Sequence, residues 1–245
     1  MNLKRRIPEK TEAMDATKEV KNFFITHKQM FNKGFDLYEI VAVDILRNFT
    51  LKKGKVLDIG CGYGGLIKRL NSLRKNLHFT GIDISKNMLK LAKNYMKKDL
   101  KFLFMSAEKL NFDKETFDLI ICKETLHHFS KPTRALKEML RVLKKDGVIY
   151  ITDLRRDSPK KAINRIIKET SLINPINAIQ YIDSLKASYT LLEIKKLLKR
   201  AKIKRYKLYI PKVDKNLMKK YKKLDKYFSA VNYYSCKWAL VIPKQ

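Results

Sequence analysis

Cysteine is scarce in this 245-residue chain: Cys61, Cys122 and Cys236 form an odd, scattered set. That excludes a disulfide framework, lacks the spacing of a zinc cluster, and points to a reducing compartment, so a cytoplasmic protein is expected. No apolar run is long enough to cross a membrane as a helix, so no membrane association is expected. The opening residues, Met1-Asn2-Leu3-Lys4-Arg5-Arg6-Ile7-Pro8, carry charge but no apolar stretch of the kind a secretory leader needs. There is no internal repeat or low-complexity linker, which leaves one domain, 1–245, as the expectation. Acidic residues are also few, 24 against 55 lysines and arginines, for a net charge of +31. Such an excess fits a nucleic-acid surface, where cations neutralise phosphates. It also fits a lysine-rich proteome shaped by coding bias or heat, and the spread of lysine rather than arginine over nearly every helix favours this second reading.

What is present is organised around Val56-Leu57-Asp58-Ile59-Gly60-Cys61-Gly62-Tyr63-Gly64-Gly65. Val56 to Ile59 reads as a short buried strand. The glycines permit a tight turn with close ligand approach, and Leu66 to Leu73 continues at helical spacing. A strand, glycine turn and helix in succession put free backbone N–H groups at a ligand site. Gly60, Gly62 and Gly65 satisfy the dinucleotide pattern G-x-G-x-x-G, which by itself names a turn and not a ligand. Asp58 discriminates: a carboxylate there sits poorly beside a pyrophosphate and suits a ligand with cationic groups, such as the ammonium and sulfonium of S-adenosylmethionine (SAM). Alternatively, Asp58 only orients the turn.

A second strand, Phe79 to Ile84, ends in Asp83, placed where an acidic residue meets ribose hydroxyls. Ser85 reads as the N-cap of the next helix, which carries Met88, Leu89, Ala92 and Tyr95. This pairing alone does not separate SAM from NAD.

The chain resembles the class I SAM-dependent methyltransferases. The glycine-rich segment is similar to their first motif. Ser106-Ala107-Glu108-Lys109-Leu110-Asn111-Phe112, after a third strand at 101–105, resembles their adenine-contacting turn D-A-E-x-L-P-F. Ser106 stands in place of the acid and Asn111 in place of the proline, so the contact from Ser106 is uncharged and weaker. Phe117 to Cys122 reads as a fourth strand, and Lys123-Glu124-Thr125-Leu126-His127-His128-Phe129 resembles the loop that follows it in the family. Leu140 to Gly147 resembles the family's R-V-L-K-P-G-G segment, which a nicotinamide dehydrogenase has no reason to carry.

The resemblance implies an α/β fold, a doubly wound, mostly parallel seven-stranded sheet with N-terminal helices and an insertion after the fifth strand. The expected parts are a helical cap at 1–50, a SAM-binding core at 51–155, a substrate-covering insertion at 156–189, and a C-terminal helix and β-hairpin at 190–245. SAM is the implied cofactor. The implied cofactor residues are Asp58, Gly60, Cys61, Gly62, Gly64, Asp83, Ile84, Ser106, Ala107, Glu108 and Lys123. For a base, should the acceptor need to lose a proton, the candidates in order are His127, Glu124 and Asp153. His128 is expected to be structural. Two adjacent histidines without H-x-x-x-H spacing or a cysteine companion make a poor metal site, so no metal is expected.

Elsewhere, residues 1–20 read as frayed. Helical spacing from Glu19 to Phe49, broken at Gly34, gives two helices, with His27, Met30, Phe31 and Phe35 as substrate contacts or as core. Ser130 and Pro132 read as the start of a helix ended by Asp146-Gly147, and Val148 to Thr152 as the fifth strand. Arg155 or Arg156 either grips an anionic substrate or joins a surface salt-bridge cluster. Tyr181 and Tyr189 are candidates to line the pocket. Thr190 and Glu193 form a capping box. Strands at 203–210 and 235–242 flank an amphipathic helix at 214–228.

The expected acceptor is a small molecule, methylated on O, N, S or C. A nucleic acid or protein acceptor is second: the chain lacks an N-P-P-Y-type tetrad. A non-catalytic SAM-binding protein or an NAD-binding oxidoreductase is third.

Overall fold

The computed structural model describes residues 3–9, 15–32, 36–96, 100–213, 215–221 and 230–245. Helices α1 (Thr17–Asn32) and α2 (Leu37–Asn48) precede the sheet. The residues expected to separate them, including Gly34, lie outside the described residues, as do Phe35 and residues 214 and 222–228 of the expected C-terminal helix. Asp36 caps α2, its carboxylate accepting from Tyr38 N.

The core alternates β1 (Gly54–Ile59), α3 (Gly65–Leu73), β2 (Leu77–Asp83), α4 (Lys86–Tyr95), β3 (Lys101–Phe104), β4 (Phe117–Lys123), α5 (Pro132–Val142) and β5 (Leu143–Leu154). Then follow α6 (Lys160–Ile173), α7 (Pro175–Ala187), α8 (Leu191–Arg200), β6 (Lys207–Tyr209), α9 (Lys215–Tyr221), α10 (Ala230–Ser235) and β7 (Lys237–Pro243). The strands form one seven-stranded sheet in the order β3-β2-β1-β4-β5-β7-β6. Only β7 runs antiparallel to its neighbours β5 and β6. The expected fold and its closing hairpin are observed.

The strands are buried on both faces because their side chains alternate. Val56, Leu119, Ile121 and Tyr150 face a core shared with α2 and α3. Leu57, Ile120, Cys122 and Ile149 face the opposite core, under α5 and α8. All three cysteines are free and buried. Among the described residues no helix is long and apolar enough to cross a membrane.

Three local expectations are corrected. Helix α5 ends at Val142 and Gly147 lies inside β5; the register between β4 and β5 slips between Phe117 and Leu119, so extra residues of β5 bulge where a helix cap was expected. Lys131, not Ser130, is the cap residue of α5, and its N–H donates to Glu108 Oε1 at 2.6 Å. The described residues before Pro8 are tied down rather than frayed. Ile7 N donates to Lys186 O (3.0 Å), Arg6 Nε to Ala187 O (2.6 Å), and Arg156 Nη1 to Leu3 O (2.7 Å).

Candidate active site

The chain begins the sheet at β1, moves outward through β2 and β3, then returns to the other side of β1 with β4. That reversal opens a crevice at the carboxyl ends of β1 and β4, the usual ligand position in such sheets. A cavity of ≈ 270 Å³ lies there.

Its first wall is the glycine turn. Gly60 N and Cys61 N both donate to Ile82 O, pinning the turn to β2. Gly62 has φ +53°, and a Cβ there would meet nothing nearer than Met88 Sδ at 4.0 Å. Its backbone is therefore bare toward the cavity. Asp83 holds the turn from the next strand: Oδ2 accepts from Gly62 N and Oδ1 from Ser85 N, both at 2.8 Å. Burial raises its pKa, despite these backbone donors. Ser85 Oγ caps α4 by accepting from Met88 N at 3.0 Å, as expected.

Asp58 is buried on the cavity wall and accepts no hydrogen bond from a described residue. Burial pushes its pKa up to about 8, opposed by Lys123 and reinforced by Asp83. A buried carboxyl lacking a partner, beside a bare glycine backbone and a strand-end aspartate, fits a cationic nucleoside and not a pyrophosphate. The residues present therefore suit SAM. Below pH 8 the free protein holds Asp58 largely protonated, and a bound cation favours the carboxylate. Binding should then expel nearly one proton at pH 7, and SAM affinity should rise about tenfold per pH unit from about pH 6 to 8. Calorimetry in buffers of different ionisation enthalpy measures this. A pH-independent affinity, or an unchanged slope in Asp58→Asn, would contradict it.

Ile84, Ser106, Ala107, Glu108, Cys61, Gly60 and Lys123 also line the cavity. Gly64 does not: it is the left-handed cap of α3, and its missing side chain makes room for Phe102. The Glu108 carboxylate is turned away to the start of α5. Arg141 explains the R-V-L segment physically. Its Nη2 and Nη1 donate to Leu110 O (2.6 Å) and Phe112 O (2.8 Å), bracing the turn that begins at Ser106.

At the end of β4 the three candidate bases separate in character. His127 lies in a short 3₁₀ turn, Leu126–His128, and is buried. Asp153 Oδ1 is 2.7 Å from its Nδ1, and Oδ2 accepts from its backbone N at 3.1 Å. Burial opposes the charged imidazole, but Asp153 outweighs it and the pKa is raised. Asp153, also accepting from Leu154 N, is committed to holding this ring and is not on the cavity wall. Glu124 has φ +51° and faces Lys123 Nζ (2.6 Å), Lys237 Nζ and Tyr233 Oη (2.7 Å). Burial works against its charge, yet Lys123 and Lys237 hold its pKa well below the usual carboxylate range, so it is a poor proton acceptor. Of the three, only His127 both lines the cavity and keeps a polar atom, Nε2, with no hydrogen-bond partner among the described residues.

Among other candidates, His27, Met30 and Tyr181 line the cavity, whereas Phe31 is exposed and lies outside it. His27 Nδ1 lies 2.9 Å from Tyr63 Oη and 3.2 Å from Tyr38 Oη, and burial holds its pKa down at about 3, a neutral ring that braces the glycine turn. Tyr189 lies in a different cleft, under Arg6 at 4.5 Å. Arg156 is buried against Glu193 and Ser188 O, and Arg155 pairs with Asp157, so neither stands on the cavity wall. Sequence reasoning missed Tyr38, Tyr233 and Ser184 in the wall, and Lys237 behind it.

The sequence model of the family described as "Methyltransferase domain" matches residues 51–199. The chain belongs to this family. The methyltransferase is 30% identical over 174 residues to the uncharacterized protein MJ1123 of Methanocaldococcus jannaschii, covering 67% of this chain and 80% of that one. It is 31% identical over 116 residues to ubiquinone biosynthesis O-methyltransferase of Coxiella burnetii, covering 46% of this chain and 49% of the relative. The match thus spans about half the length of that relative. The fold is that of the plantazolicin methyltransferase BpumL, solved with S-adenosylhomocysteine: TM-score 0.63 at 20% identity, over 94% of this chain and 89% of the other.

Proposed function

We propose that this methyltransferase moves the methyl group of SAM to an O, N, S or C nucleophile of a small molecule held in the cavity. The carrying observation is the cavity's enclosure. Its lining includes Phe23 and Met30 of α1 and Asn177, Tyr181 and Ser184 of α7. Relatives named for ubiquinone biosynthesis and for phthiotriol dimycocerosates support a small acceptor.

The sulfonium supplies an already activated methyl group, so the chain mainly binds and orients. In this reading Asp83 holds the ribose hydroxyls, Asp58 faces the cationic groups, and Ser106 with Ala107 borders the adenine. Lys123 offers its ammonium to the ligand's carboxylate. His127, oriented by Asp153, takes the acceptor's proton at Nε2 where one must leave.

A second reading, a nucleic-acid acceptor, is favoured by one cleft, lined by Arg6, Lys131, Arg134, Lys137, Lys196 and Arg200. Calorimetry with SAM, S-adenosylhomocysteine and NAD is the first test. SAM and its product should bind, NAD should not, and Asp83→Ala should cost about 1.5–3 kcal/mol in affinity, as for charged hydrogen bonds. NAD binding alone would sink the reading. Labelled methyl transfer to small-molecule pools, against RNA at rising salt, then separates the two acceptor classes.

A further inference from the structure

Three ligand-type side chains converge beside the acceptor half of the cavity. Glu9 lies on the N-terminal segment. Its Oε1 is 3.8 Å from His127 Nε2, and its Oε2 is 3.2 Å from His128 Nδ1. The three ligand atoms all lie within 4.8 Å of one another.

His127 Nε2 is buried with no hydrogen-bond partner among the described residues, and His128 Nδ1, also buried, faces the Glu9 carboxylate. A buried polar atom left unpaired costs about 1–3 kcal/mol. The spacings resemble those between ligands of one ion. With bonds of about 2.0–2.2 Å, tetrahedral neighbours stand roughly 3.3–3.6 Å apart.

The surroundings hold each ligand in place. His127 Nδ1 lies 2.7 Å from Asp153 Oδ1, which leaves Nε2 as the free lone pair. A carboxylate behind an imidazole in this way is the usual support of a metal-bound histidine. Ser184 Oγ donates to Glu9 Oε1 at 2.7 Å, orienting the carboxylate. Arg6 donates to His127 O (2.8 Å) and to Ala187 O (2.6 Å), fixing the segment that delivers Glu9.

We propose that Glu9, His127 Nε2 and His128 Nδ1 form a three-ligand site for a divalent transition-metal ion of the zinc or iron(II) type. Two imidazoles and one carboxylate select such ions over magnesium and calcium, which take oxygen ligands. The adjacent histidines alone pointed to no metal; the third ligand comes from far along the chain, where spacing rules cannot see it. Three protein ligands leave a coordination position open. Both histidines line the cavity, so that position is available to the acceptor. An acceptor oxygen or nitrogen bound there loses its proton more readily, and the proton passes to solvent while His127 serves as a ligand instead of a base. This use rests on the methyltransferase reading; occupancy of the site does not.

The test titrates metal-free full-length protein with zinc chloride and with cobalt(II) chloride, without SAM. One equivalent should bind per chain, and cobalt should give visible absorption bands from a nitrogen and oxygen site. Glu9→Gln and His128→Ala should each weaken zinc binding about 100-fold, and Asp153→Asn about 10–100-fold, as outer-shell partners do. The melting temperatures of the metal-free variants confirm folding, and Glu9→Gln keeps the shape of the side chain. Failure to bind one equivalent, or binding that Glu9→Gln and His128→Ala both leave unchanged, overturns the site. SAM calorimetry on the same samples keeps the two readings apart: protein that binds SAM without zinc loses only the metal site, and protein that binds zinc without SAM loses only the methyltransferase reading.

Discussion

Gly60→Ala is expected to lower the melting temperature by about 6–12 °C, whereas Gly62→Ala leaves it within about 4 °C of the parent and abolishes tight SAM binding. The two glycines sit two residues apart in one turn, both with positive φ. A Cβ on Gly60 would stand 2.2 Å from Thr125 Cγ2, 2.3 Å from Oγ1 and 2.7 Å from Cβ. A β-branched side chain anchored to Lys123 O at 2.9 Å cannot swing clear. Overpacking and left-handed strain together come to about 3 kcal/mol. A Cβ on Gly62 meets nothing nearer than Met88 Sδ at 4.0 Å, an ordinary contact, so the protein loses about 1 kcal/mol to φ strain. The new methyl instead occupies space the cofactor needs, and affinity should fall roughly 10–100-fold. Thermal melts and calorimetry on both variants check this. Normal SAM binding by Gly62→Ala would place the cofactor elsewhere.

Glu124→Gln is expected to destabilise the fold by about 3–5 kcal/mol at pH 7, because it strands buried ammonium groups. Lys237 has no solvent exposure, and its Nζ rests against Glu124 and 3.6 Å from the Tyr233 ring centroid. Burial already draws its pKa down to about 8. Without the carboxylate it keeps an uncompensated charge or gives up its proton, and either is costly. Glu124→Gln with Lys237→Met together should recover most of the loss. Urea denaturation of the single and double variants measures it. If Glu124→Gln instead kept full stability and lost only turnover, Glu124 would be a base after all.

The turn around Gly60 was legible because its chemistry is local: strand, glycines and helix follow one another within ten residues. Asp83, Ser85 and the capping box of Thr190 and Glu193 were legible for the same reason. The end of α5 was misread because the bulge in β5 depends on pairing with Phe117 and Leu119 of β4, which no local pattern reports. Gly64 was placed in the cofactor wall by motif, yet its free side faces Phe102 of β3.

By itself, the sequence determined the family, the order of strands and helices, and the carboxylates at the ends of β1 and β2. Period-2 and period-3.6 patterns and turn residues act over a few positions, so they survive in one dimension. Only the tertiary structure decided what each carboxylate does. Asp58 accepts no hydrogen bond from a described residue, Asp83 braces a turn, Asp153 orients His127, Glu124 neutralises buried lysines, and Glu9 reaches two histidines far along the chain. A charged group takes its role from burial and from whatever lies within a few ångströms, and those neighbours are chosen by folding.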